Sequence, residues 1–253
     1  MNPWMAGVRI DGAASGRAAM NSVRLDPRIE RGMRAQLALR AERIAAGDKP
    51  LGWKVGFGAP AAMKKLQIEA PLVGFLMERA LLRSGASIPV GQWTRPAAEA
   101  EIAVHMERAL SGGAERAVAA AAIAGLSPAI EIADVEFPPD DVERILAADI
   151  YQRHVILGPW DASRAGCRLD GLDCRVSRNG GEVARTSDPQ ALTGDYIDIV
   201  RHVADVLEAC GERLDAGQII ITGSITPPIW TEAGDEIRFE LEPVGALSVS
   251  FKR

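Results

Sequence analysis

The chain has 253 residues, 47% apolar and 25% charged, with a formal net charge of −5, so it is long enough for one large domain with a sizeable core and has an ordinary soluble composition. There is no Lys/Arg stripe with interleaved aromatics, which argues against nucleic acid as a partner. No apolar run reaches bilayer-spanning length, and no basic segment leads into an apolar core at Met1-Asn2-Pro3-Trp4, so neither a membrane span nor a secretory signal is expected.

The first twenty residues, rich in Ala, Gly and Ser, read as loosely held. Asp26-Pro27 opens a helix, with Asp as N-cap and Pro at the first helical position, and Gly47 closes it. Leu51 to Gly58 (LGWKVGFG) reads as a short strand whose glycines suggest close backbone packing. Ala59-Pro60 starts a short helix through Leu66. From Ala98 to Met106 the period is two, with Ile102, Val104 and Met106 on one face and Glu99, Glu101, Ala103 and His105 on the other.

An alanine-rich helix follows over about 115–124, then a strand over 129–135 in which Ile130 and Ile132 flank Glu131. A capped helix over 140–148 and a short strand at 154–157 come next. A hairpin over 173–183 turns at Asn179-Gly180-Gly181. Asp195 to Cys210 carries one apolar stripe and is a helix. Gln218 to Thr222 is a buried strand, Gly223-Ser224 a loop, and 236–241 and 247–251 are strands. Helices lead and strands dominate later, without βαβ alternation. The expected class is α+β, with a helical or mixed portion over residues 1–85 and a mixed β-sandwich roll, the catalytic domain, over 86–253.

Three cysteines, Cys167, Cys174 and Cys210, make no C-x-x-C and no even set. Neither a disulfide framework nor a zinc knuckle is expected, and a reducing cytoplasm fits. Glu99 and Glu101 leave one face of a strand with Cα atoms roughly 6.5–7 Å apart. They can converge on one cation, or form a solvated strand face. Three carboxylates brought together with Glu131 would repel one another unless a hard divalent cation such as Mg²⁺ or Mn²⁺ joined them. Lys54, set among glycines and apolar residues, either faces a pocket or reaches water from an edge. Gly223-Ser224 can offer donors to an anion or be an ordinary turn. His105 could support Glu101 or be a structural histidine.

GWKVGFG, PAAEAEIAVHM, SPAIEIADVEF, LDAGQIIITGSITPP and AGDEIRFEL occur in this order from residue 52 onward. Together they resemble the hydratase/decarboxylase branch of the fumarylacetoacetate hydrolase superfamily. The resemblance implies metal ligation by Glu99, Glu101 and Glu131 and proton transfer or substrate anchoring by Lys54. It also implies a substrate-binding Gly223 and Ser224, that superfamily's β-roll, and a homo-oligomer. The implied activity is that of a lyase acting on a small anionic 2-oxo acid through an enolate. A 2-hydroxypentadienoate-type hydratase comes first, with a 4-oxalocrotonate-type decarboxylase or a non-catalytic metal-binding relative as alternatives. Two stretches depart from the hydratase pattern. Leu72 stands where many hydratases carry an acid, and the bulky Asp149–His154 segment replaces a run of small residues.

Overall fold

The computed structural model describes residues 24–253, and the reading of the first twenty residues lies outside that range. In chain order the elements are α1 (Pro27–Ala45), β1 (Pro50–Gly56), α2 (Pro60–Leu66), β2 (Leu72–Met77), β3 (Leu81–Leu82), β4 (Ala86–Pro89) and β5 (Pro96–Met106). They continue as α3 (Arg116–Ala121), β6 (Ile123–Asp134), α4 (Val142–Ala147), β7 (Gln152–Leu157), β8 (Asp173–Arg178), β9 (Gly181–Thr186), α5 (Tyr196–Ala209), β10 (Ile219–Ile221), β11 (Ile229–Trp230), β12 (Glu236–Glu242) and β13 (Gly245–Lys252).

Local signals explain the helices. The Asp26 carboxylate accepts from Arg28 N–H at 2.8 Å and Pro27 takes the first turn of α1. Asp141 and Asp195 cap α4 and α5 in the same way. The alanine run of α3 stops at Ala121, short of the expected end. Ile123 already pairs with Met106, so sheet pairing overrides helix propensity there.

Two sheets form. The larger runs β2-β1-β10-β5-β6-β7-β3, with β11 also on β5, and the smaller runs β4-β13-β12-β8-β9. The larger sheet is apolar on both faces. Ile102, Val104, Ile130 and Ile132 enter the main core, where β6 also meets β12 and β13 of the smaller sheet. Leu76, Ala103, Ala129, Val155, Ile219 and Ile221 form a second, smaller cluster on the opposite face. Burial on both faces accounts for β6 running twelve residues without polar alternation, longer than the strand expected from sequence. The strand β2, LVGFLM, is buried throughout and carries no period-two signal, so sequence periodicity does not reveal it.

The β2 edge is closed by side chains. Gln36 Nε2 donates to Val73 O at 3.2 Å and to Leu146 O at 3.0 Å, and Phe75 N–H donates to Asp149 Oδ1 at 2.9 Å. These contacts cover an edge that would otherwise present unpaired backbone groups.

Close approach of β1 to β10 requires Gly52. A Cβ there would overlap Ile219 O, N and C, the backbone Gly52 pairs with. Gly52→Ala is therefore expected to separate the two strands and to destabilise the fold by about 2 kcal/mol or more. Urea unfolding checks this, and an unchanged midpoint would contradict it.

Candidate metal centre

The antiparallel pairing of β5 with β6 sets Glu99 directly opposite Glu131 and Glu101 opposite Ala129. Glu99 and Glu101 share a face because they are two residues apart on one strand. One carboxylate oxygen from each of Glu99, Glu101 and Glu131 lies within 4.8 Å of the others. Lys54 arrives from β1, where it pairs with Ile221, which in turn pairs with Ala103 of β5. Four residues from three strands, β1, β5 and β6, thus meet on one face of the larger sheet, beside its small apolar cluster.

The electrostatics are severe. Glu101 is fully buried, and Glu131 and Lys54 nearly so. Lys54 Nζ donates to Glu131 Oε1, and to Ile150 O at 3.3 Å. Burial alone would lower the lysine pKa, but the charge of Glu131 and the hydrogen bond to it outweigh that and hold it above the ordinary value. Burial, with the charge of Glu131, pushes Glu99 up to about 7. Burial and both neighbouring glutamates push Glu101 well above the carboxylate range. Asp149, 1% exposed and adjacent to Lys54, is pushed up to about 8, mainly by burial.

Gly223 N–H donates to Glu101 Oε2 at 2.7 Å, while Glu101 Oε1 is buried with no hydrogen-bond partner among the described residues. An orphaned buried carboxylate oxygen carries a substantial cost unless something binds it. Three converging carboxylates offer hard oxygen donors, so the residues fit a divalent cation such as Mg²⁺, Mn²⁺ or Ca²⁺.

The other residues singled out from the sequence divide. Gly223 is brought to the cluster, but its amide is engaged by Glu101, and the Ser224 hydroxyl donates to Thr226 O at 2.7 Å. His105 lies farther along the glutamate face, where Nε2 bonds Ser127 Oγ at 2.8 Å and the ring stacks on Trp160. Arg153 pairs with Glu136 at 2.5 Å and His154 stacks on Trp93. Leu72 shares the face of Gly74, the residue opposite Lys54, and is 1% exposed. Tyr151 packs between Phe57 and Phe137 and donates to Phe137 O at 3.1 Å. Asp149 is the residue that sequence reasoning misses, because its approach to Lys54 depends on a turn. Asp149, Ile150 and Tyr151 have φ of 52°, 51° and 62°, a left-handed run that none of these residue types signals.

The raised carboxyl pKa values give a pH prediction. Asp149 and Glu101 hold protons in the folded chain that the unfolded chain has released, so stability falls as pH rises towards their folded pKa values. The three half-buried histidines, lowered by desolvation, act in the opposite sense, but only around and below their ordinary 6.5. In chelator, the thermal midpoint is expected to fall between pH 7 and about pH 8, and saturating Mg²⁺ should abolish the fall. A midpoint that rises over that window in chelator would contradict the assignment.

A curled mixed sheet whose adjacent strands bring three glutamates together forms a candidate carboxylate metal centre. The fumarylacetoacetate (FAA) hydrolase C-terminal family model matches residues 53–252, and the chain belongs to that family. It is 28% identical over 219 residues to 4-oxalocrotonate decarboxylase of Pseudomonas putida, covering 85% of this chain and 83% of that protein. It is 27% identical over 214 residues to 2-keto-4-pentenoate hydratase 2 of Dechloromonas aromatica, covering 82% and 80%. The solved 4-oxalocrotonate decarboxylase from Pseudomonas putida G7, complexed with magnesium and adipate, superposes with a TM-score of 0.80 at 26% identity over 87% of this chain and 84% of that one. The same enzyme complexed with calcium and acetate gives a TM-score of 0.79 at 27% identity over the same shares.

Proposed function

We propose that this chain is a divalent-metal-dependent lyase acting on a 2-oxo acid through an enolate, and that its reaction is decarboxylation of a vinylogous 2-oxo diacid. The observation that carries the metal reading is the convergence of Glu99, Glu101 and Glu131 around a buried, unpartnered Glu101 oxygen. Relatives named as 4-oxalocrotonate decarboxylase and 2-keto-4-pentenoate hydratase support the substrate class, and the solved decarboxylase with magnesium supports the ion.

The glutamates would hold the ion. Once bound, it supplies Lewis acidity to the carboxylate and neighbouring carbonyl oxygens of a 2-oxo acid and so favours the enolate. Three glutamates and a divalent ion carry a net charge of about −1, which repels an anionic substrate unless a cation sits alongside. Lys54 is that cation. It is buried, charged and next to Glu131, placed to draw the substrate carboxylate in and to hold or move a proton there.

Hydratase and decarboxylase share these parts and differ in what else they need. Hydration requires water to be oriented and a proton moved to carbon. Loss of CO₂ breaks one C–C bond, and its electron pair flows through the conjugated chain to the 2-oxo oxygen; no water is activated. Leu72, buried on the same face of β2 as Gly74, the cross-strand partner of Lys54, can neither orient water nor move a proton. An apolar wall also favours loss of charge from a leaving carboxylate. This residue favours decarboxylation over the hydratase that the sequence resemblance places first.

The test supplies 2-oxohex-3-enedioate and, separately, 2-hydroxypenta-2,4-dienoate, each with Mg²⁺ or chelator. Mg²⁺-dependent CO₂ release from the first supports the proposal. Loss of dienol absorbance from the second without CO₂ assigns the hydratase. No turnover of either, with Mg²⁺ bound, assigns a non-catalytic relative.

A further inference from the structure

Lys54 has two carboxyl neighbours, and only Glu131 is a candidate metal ligand. We propose that Asp149 is a positioning residue: in the metal-loaded chain, where the charge of Glu131 is shared with the ion, it gives its proton to solvent and becomes the second anion that keeps the Lys54 ammonium in the site. The inference rests on the metal reading above.

The geometry favours this role. Asp149 uses Oδ1 to accept from Phe75 N–H at 2.9 Å, while its Oδ2 is buried with no partner among the described residues. Gly74 lies opposite Lys54 in register. A Cβ on Gly74 would stand 2.9 Å from Lys54 Cγ and 3.0 Å from Asp149 Oδ1. Lysine stem and carboxylate therefore converge over one Cα that carries no side chain. The turn that delivers Asp149 also delivers Ile150 O, which accepts from Lys54 Nζ at 3.3 Å.

That turn holds three consecutive non-glycine residues in the left-handed region. Such backbone persists only where its surroundings over-determine it. Here the surroundings are the β2 edge, the Gly56 backbone against which Ile150 packs, and the lysine itself.

A doubly charged ion beside Glu131 repels an ammonium a few ångströms away. With Glu131 as its sole anion, Lys54 would compete with the ion for that carboxylate. Asp149, one residue from the turn carbonyl that already holds Nζ, removes the competition. Its free oxygen offers the lysine another partner within the same buried space.

The experiment is a double-mutant cycle read as Mg²⁺ affinity by calorimetry without substrate. Asp149→Asn keeps an oxygen for Phe75 N–H but removes the charge. It is expected to weaken Mg²⁺ binding by about tenfold or more. In a Lys54→Met background the same change should cost much less, because there is no ammonium left to hold. An equal loss in both backgrounds would reduce Asp149 to a distant charge and overturn the proposal, as would no loss in the first. Wild-type chain that binds no Mg²⁺ would instead sink the metal reading itself. Should Lys54→Met fail to fold, a Mn²⁺-loaded crystal structure of the wild type reads the same point. Nζ within about 3.2 Å of Asp149 Oδ2 is expected, and Nζ bonded to Glu131 alone would overturn the proposal.

Discussion

Glu101→Gln is expected to weaken Mg²⁺ binding by at least about 100-fold, more than the loss typical for partners one shell further out, and to lower turnover in parallel. Glu101 is fully buried, one of its oxygens is held by Gly223 N–H, and the other has no partner among the described residues. Glutamine keeps an oxygen for the Gly223 amide but replaces the free ligand with an amide group. The same change should raise the thermal midpoint of the metal-free chain at pH 8, since it removes a buried carboxyl that must take up a proton to fold there. This opposite effect on stability separates loss of a ligand from general damage to the fold. Calorimetric titration with Mg²⁺ and thermal melts in chelator check both arms, and unchanged affinity would remove Glu101 from the site.

Lys54→Met carries the second large effect. Lys54 and Glu131 form a buried ion pair with side chains 3% exposed on each side. Removing one partner leaves an uncompensated buried charge, which costs about 3–5 kcal/mol. Part of that loss should return with Mg²⁺, because an ion again neutralises Glu131. Activity should stay low in saturating Mg²⁺, by on the order of 10²–10⁴-fold, the range for a lost proton-transfer group. Denaturant unfolding with and without Mg²⁺, set beside steady-state rates, tests the pairing of stability rescue with persistent inactivity. Recovery of both by metal would make Lys54 a structural counter-ion with no part in the chemistry.

Much of this site is legible in the chain. The spacing of Glu99 and Glu101 on an alternating strand is enough to put them on one face. Spacing alone cannot say that Glu131 meets them, since that depends on which residue of β6 pairs with which residue of β5. The ordered segments around Lys54 and Gly223 supply the connection, and the register places Glu131 across from Glu99. The strand β2 escapes because burial of every residue erases the period by which strands are recognised. That omission hides the other half of the site. Without β2 there is no Gly74 beside Lys54, no Phe75 amide for Asp149, and no reason to place Leu72 on the lysine's face. The left-handed turn at 149–151 is equally hidden, because its residues lack the glycine or asparagine that marks such backbone. As sequence, the bulky Asp149–His154 stretch suggests a disturbed substrate pocket. In the fold its first residue accepts from Phe75 N–H on the edge of β2, Tyr151 packs on aromatic neighbours, and Arg153 pairs with Glu136.

Every catalytic reading passes through the enolate of a 2-oxo acid, assisted by an ion on the three glutamates, and the same kind of enolate forms when a proton leaves the carbon beside a 2-oxo group. The most direct measurement is exchange of that proton for deuterium, followed by NMR on a panel of 2-oxo acids in D₂O. Exchange that needs the protein and Mg²⁺ together, and that vanishes in Glu101→Gln, is the predicted result. Exchange indifferent to Mg²⁺, or undiminished in Glu101→Gln, would contradict a metal-assisted enolate at Glu99, Glu101 and Glu131.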